Sequence, residues 1–193
     1  MSSEYNKLII ITAPSGAGKT SITNHLLKTF SDKLGFSVSA ATRKKRSYEI
    51  DGVHYYFISE EDFKEKIRQK EFAEWEMVYE GKYYGTLKSE MKRIWNQGKA
   101  VVLDIDVKGA LHVQGQYPEQ SLSIFIEPPS IEELKKRLLS RGTETDESLV
   151  ARVNKAAYEI SFKDQFNKVI VNDDLAKACK EAEEIVRSFI EEK

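Results

Sequence analysis

Residues 13 to 20 read Ala13, Pro14, Ser15, Gly16, Ala17, Gly18, Lys19 and Thr20, and this run restricts the fold more than any other part of the chain. It follows a β-branched stretch, Leu8 to Thr12, that suits a buried parallel strand. Beyond it, Ile22, Leu26, Leu27 and Phe30 recur at helical spacing. A strand that passes through two glycines into a helix is the setting of a phosphate-cradling loop. Glycines at 16 and 18 let successive backbone N–H groups turn inward around phosphate oxygens. The helix start adds its positive dipole end and its unpaired N–H groups. Lys19 then reaches the terminal phosphates of a nucleoside triphosphate, and the Thr20 hydroxyl binds Mg²⁺. Ala13 departs from the strict pattern, which has glycine there. At positive φ the alanine would cost about 1 kcal/mol, and at negative φ almost nothing. A glycine-rich turn carrying a solvated lysine is the alternative.

The rest of the chain continues the alternation of strand and helix. Phe36 to Ala40, Ala100 to Ile105, Leu122 to Ile126 and Lys168 to Val171 read as strands. Ser130 and Glu133 form a capping box ahead of Leu134, Leu138 and Leu139. A last helix carries Leu175, Ala178, Cys179, Ala182, Ile185, Val186, Phe189 and Ile190 as an apolar stripe. The segment 37–90 differs, being rich in aromatic and charged residues, with a short strand at His54 to Ile58 and a helix capped by Ser59. The fold class expected is α/β: a parallel sheet covered by helices on both faces, with an inserted α+β subdomain.

Composition narrows the function. Thirty basic and 31 acidic residues leave a formal charge of -1, so no bulk field draws the chain to nucleic acid or an anionic membrane. One cysteine excludes an intrachain disulfide and a cysteine zinc site, and its periodic setting reads as core. Residues 1–7 show no leader pattern, and no apolar run reaches the roughly 18 residues a membrane helix needs. A cytoplasmic protein without membrane or nucleic-acid partners is expected.

A second site is written downstream. Four cations, Arg43 to Arg46, follow Phe36 to Thr42, and Glu49, Gly52, Tyr55, Glu74, Tyr83, Tyr84, Gly85 and Thr86 come after them. Cations and tyrosine hydroxyls suit a phosphate, and Glu74 is an acceptor able to read a donor edge. Guanine presents such an edge through N1–H and N2–H₂, and adenine does not. By themselves these residues fit equally well a solvated basic loop and a structural aromatic cluster.

Taken with the loop at 13–20, these pieces resemble the guanylate kinase family in order and spacing, from Leu8 to about Phe189. The resemblance implies a P-loop NTPase-type core (1–36, 91–130 and 161–193), a GMP-binding subdomain (37–90) and a helical lid (131–160). It implies ATP and Mg²⁺ as donor and cofactor, GMP or dGMP as acceptor, and a monomer or homodimer. Arg43, Arg46, Tyr55 and Tyr84 would hold the GMP phosphate, with Gly85 beside them. Ser39 and Thr86 would donate to guanine O6, Glu74 would accept from N1–H and N2–H₂, and Asp106 would contact N2. Three residues depart from the family pattern: Lys45 where proline is common, Tyr48 in place of glycine, and Ala41 where threonine is frequent.

Asp104 and Asp106 end an apolar strand and would face one side by alternation, with Asp104 near Mg²⁺ through water. Capping of the Lys108–Gly109 turn is the other use for Asp104. Arg137 and Arg141 share a helix face at i, i+4, and Arg152 follows on the next helix. Alone they suit a solvated surface; in the family they belong to the lid, where they neutralise charge on the transferring phosphoryl group. Asn172 matches the family position that bonds adenine, and is also an ordinary turn former.

Overall fold

The computed structural model describes residues 6–140 and 146–192. In chain order its elements are β1 (Leu8–Thr12), α1 (Lys19–Thr29), β2 (Leu34–Phe36), β3 (Ala40–Ala41), β4 (Tyr56–Phe57), α2 (Glu60–Arg68), β5 (Phe72–Tyr79), β6 (Lys82–Leu87) and α3 (Lys88–Trp95). Then come β7 (Ala100–Asp104), α4 (Val107–Gln116), β8 (Ser121–Glu127), α5 (Ile131–Leu139), α6 (Asp146–Ile160), β9 (Lys168–Val171) and α7 (Leu175–Glu191).

Five strands, ordered β2-β7-β1-β8-β9, pair in parallel throughout. β1 sits at the centre, and all five of its residues are buried. Strand alternation divides them between two cores. Ile9 and Ile11 join Ile22 and Leu26 of α1 and Ala178, Ala182 and Val186 of α7 on one face. Leu8 and Ile10 join Met91 and Ile94 of α3 and Ala110 and Val113 of α4 on the other. Each of the leucine, isoleucine, valine and methionine side chains contributes about 1.5–3 kcal/mol by leaving water, the alanines less. Covering both faces explains why the strands read as continuous apolar runs. Cys179 is buried in the first of these cores.

A second sheet, ordered β4-β3-β6-β5, stands at the edge of the first. α2 closes it: Phe63 is fully buried and stacks on Phe72 with ring centroids 4.3 Å apart. Ser59 caps this helix by accepting from Asp62 N at 3.0 Å. Its first turn is acidic and its last turn basic, which favours the helix dipole at both ends. The single strand expected over Phe36 to Ala40 is two strands in two sheets, because the chain crosses between them at residues 37–39.

α5 and α6 pack on each other through Leu134, Leu138, Leu149 and Ala156. Half of the capping box forms: Ser130 accepts from Glu133 N at 3.0 Å. The Glu133 carboxylate instead faces Arg137 and Lys136, at 3.3 and 3.6 Å. Among the described residues no helix is long and apolar enough to cross a membrane.

Candidate active site

A single cleft of about 630 Å³ runs from the loop after β1 to the face of the second sheet. It lies past the carboxyl ends of β1 and β7, where open parallel sheets bind their ligands.

At one end is the loop at 13–20. Gly16 and Gly18 have φ of +94° and +99°, and Gly18 caps α1 in the left-handed region. Gly18 is required on space as well, since a Cβ there would meet Asn172 Nδ2 at 2.1 Å. Lys70 is the only non-glycine residue at positive φ among the described residues, so Ala13 is accommodated without that strain. Lys19 pairs with Asp104 and also lies 3.4 Å from the Ile105 carbonyl. Arg152 of α6 donates to Ser15 Oγ at 3.1 Å, tying the helix pair to the loop. Arg137 donates to the Asn172 carbonyl at 2.9 Å. Asn172 is buried, and its amide donates to the Ala17 carbonyl at 2.7 Å. That side chain braces the loop from beneath.

At the other end Glu74 is buried on β5, and Thr86 Oγ1 of the facing strand donates to its Oε1 at 2.6 Å. α4 comes close because residue 109 is glycine; a Cβ there would lie 2.8 Å from Glu74 Oε2. Burial pushes the Glu74 carboxyl up to about 7, against the pull of Thr86. Ser39, Tyr55, Tyr84, Gly85 and Asp106 complete this wall. Behind Tyr55, the Arg43 guanidinium lies 4.9 Å from the ring centre. Glu49 grips Arg43 through two bonds of 2.6 and 2.5 Å and also accepts from Arg46 N at 2.8 Å. The Arg43 hydrogen bonds hold the Glu49 carboxyl at about 2. Arg46 itself donates to Tyr48 OH at 2.8 Å.

The guanylate kinase family model matches residues 5–189. The chain belongs to the guanylate kinase family. It is 47% identical over 184 residues to the guanylate kinase of Bacteroides thetaiotaomicron, covering 95% of this chain and 90% of that one. It is 45% identical over 182 residues to that of Thermotoga maritima, covering 94% and 86%. The crystal structure of guanylate kinase from Anaplasma phagocytophilum superposes with a TM-score of 0.75 at 28% identity, over 99% of this chain and 89% of that one.

Against this family background, the cleft gathers Lys19, Thr20, Ser39, Tyr55, Glu74, Tyr84, Gly85, Asp104, Asp106 and Arg152 from seven separate stretches of chain. Arg43 and Arg46 stand just behind, held by Glu49 and Tyr48. Arg141 lies outside the described residues. Thr86 is fully buried and gives its hydroxyl to Glu74, where a donation to guanine O6 was expected. Asn172 likewise spends its amide nitrogen on the loop rather than on open cleft. Asp106 reaches the cleft by a different route from the one expected. β7 stops at Asp104, and Asp106 is the N-cap of α4, accepting from Gly109 N at 2.7 Å.

Four ionisable lining residues were not assigned to a site from the sequence: His54, Glu76, Lys155 and Glu159. The neighbouring Asp106 carboxyl, together with burial, lifts the Glu76 carboxyl to about 7. Asp106 is held low despite its own burial, chiefly by Glu76 and Gly109. Glu159, also buried, is shifted upward. One signal was present: Glu76 follows Glu74 by two, so both fall on one face of a strand.

The oxygens of Thr20 and Asp104 fit Mg²⁺, a hard cation that prefers oxygen donors. Among the described residues no cluster of three or more His, Cys, Asp or Glu could hold a metal alone. The protein therefore offers part of a shell, which Mg²⁺ ordinarily completes with substrate phosphates and water.

Proposed function

We propose that this chain transfers the terminal phosphoryl group of ATP to the 5′-phosphate of GMP, giving ADP and GDP. The observation that carries the reading is the content of one cleft: a phosphate-cradling loop with its lysine at one end, and a buried carboxylate oriented by a threonine at the other.

Residues 13–20 cradle the donor phosphates, with Lys19 leaving Asp104 to follow the γ-phosphate. Asn172, beneath the loop, fixes its shape and stands at the adenine end. Thr20 and Asp104 would hold Mg²⁺, which would withdraw charge from the phosphates. Glu74 accepts from guanine N1–H and N2–H₂, Asp106 adds an acceptor at N2, and Ser39 donates to O6. Thr86 acts through Glu74, fixing the carboxylate plane. Adenine would set its N1 lone pair against Glu74, so it is rejected by repulsion and by an unpaired buried acceptor.

Tyr55, Tyr84, Arg43 and Arg46 take the acceptor phosphate, with Gly85 allowing the strands to close behind it. A Cβ at Gly85 would sit 2.9 Å from three atoms of β5, the Glu74 carbonyl among them. Arginine suits this place because its fork binds phosphate oxygens in pairs. The acceptor is already an anion, so the reaction needs positioning and charge neutralisation rather than a general base. Arg137, Arg141 and Arg152 of the lid (131–160) supply cations from the far side, while 37–90 carries the acceptor. dGMP retains every group read by Glu74, Ser39 and Asp106, so it enters the same site.

Incubation of the purified chain with ATP, GMP and Mg²⁺, followed by ³¹P NMR, should show GDP and ADP forming one to one, and chelation with EDTA should stop it. Bound GMP with no GDP formed would instead favour a binding module on this fold.

A further inference from the structure

On β5, Glu74, Trp75 and Glu76 pair in regular register with Thr86, Gly85 and Tyr84 of β6. Glu74 and Glu76 therefore share a face, about 7 Å apart along the strand, and both line the cleft. Side chains paired across two strands stand side by side on one face. Thr86, beside Glu74, thus marks where the base is read. Tyr84, beside Glu76, marks where the phosphate is held: its ring lies 5.9 Å from that of Tyr55, over which Arg43 is set. Glu76 stands in the step between base and phosphate, and the part of a nucleotide between them is its sugar.

A second relation gives the same placement. Glu76 lines the same wall of the cleft as Asp106, the residue assigned above to guanine N2. That amino group lies on the minor-groove edge of the base, the edge nearest the sugar. A carboxylate has two oxygens, either of which can accept from a hydroxyl.

We propose that Glu76 reads the sugar: its carboxyl accepts a hydrogen bond from the ribose 2′-hydroxyl of the acceptor nucleotide and makes the enzyme prefer GMP to dGMP. This rests on the GMP reading given above. With the deoxy sugar the acceptor loses its donor while the bound nucleotide screens it from water, so discrimination comes from the unmade bond as well as the lost one.

The test is initial-rate kinetics with GMP, dGMP and IMP on the wild-type chain, Glu76→Ala and Glu76→Gln. The wild type should favour GMP over dGMP by about tenfold or more in kcat/KM. Glu76→Ala should bring that ratio close to one, through a raised KM for GMP. Glu76→Gln keeps a carbonyl acceptor and should fall between. IMP lacks only the 2-amino group, and the GMP to IMP ratio should be the same in all three proteins. A wild-type ratio near one overturns the assignment without any variant. So does an unchanged GMP to dGMP ratio in Glu76→Ala, or a change that appears in the IMP ratio instead. Absence of turnover on both GMP and dGMP would overturn the GMP reading, and the sugar assignment with it.

Discussion

Glu49 holds Arg43 by two guanidinium nitrogens, at 2.6 and 2.5 Å, and both side chains are largely buried. A planar fork gripped on one edge by a carboxylate presents its remaining N–H groups in a fixed direction. Arg43 also lies over Tyr55 and Phe57, with its centre 4.9 and 5.3 Å from the two rings, so the fork proposed to take the acceptor phosphate is held in place by its neighbours.

Glu49→Gln should therefore raise the KM for GMP about tenfold, as loss of an outer partner of a binding group commonly does, with KM for ATP unchanged. Steady-state kinetics check this. The sign of the pH effect follows from the lowered carboxyl, at about 2. The pair stabilises the fold above the unfolded carboxylate range, and that contribution is lost as pH falls toward 2.

Glu74 behaves in the opposite sense. Its carboxyl rises from 4.5 to about 7, so the folded chain holds that proton more tightly than the unfolded chain. Its contribution to stability is present below about pH 4.5 and disappears as pH rises through 7, a change on the order of 3 kcal/mol. Glu74→Gln should raise Tm at pH 8 relative to the wild type, with the gain shrinking at pH 5, while kcat/KM for GMP collapses. In the wild type, KM for GMP should climb as pH drops below 7, because the carboxylate is the form that accepts from guanine.

Gly18→Ala should destabilise the chain by at least about 1 kcal/mol, because φ is left-handed and the methyl would strike Asn172. ATP binding should fall with it. Ala13→Gly, at a residue without positive φ, should lose only about 0.4–1 kcal/mol, through unfolded-state entropy. Thermal unfolding of the two variants side by side separates a position that needs glycine from one that does not.

Lys19→Met should lower kcat on the order of 100-fold or more, with GMP affinity retained, since the lysine stands at the donor end. Calorimetric titration with GMP alongside turnover distinguishes this from misfolding.

What could be read from the sequence depended on range. The loop at 13–20 is contiguous, so strand, glycines, lysine and helix start all appear in one window. Ser59, Ser130 and the apolar runs of β1, β7 and β8 are local in the same way. Asp106 was placed by strand alternation, yet it reaches the cleft as a helix cap, because β7 ends two residues earlier. Phe36 to Ala40 looked continuous because nothing local marks a crossing between sheets. Glu76, Lys155 and Glu159 acquire meaning only when β5, α4 and α6 meet, and a charged residue on an isolated strand or helix reads as solvated surface.

The most direct measurement of the central claim is coupled ADP release with ATP and Mg²⁺ on a panel of GMP, dGMP, AMP, CMP, UMP and dTMP. Rapid turnover confined to the two guanine nucleotides is the result expected from Glu74, Ser39 and Asp106. Turnover centred on AMP or dTMP would contradict it, as would a folded chain that binds GMP and phosphorylates nothing.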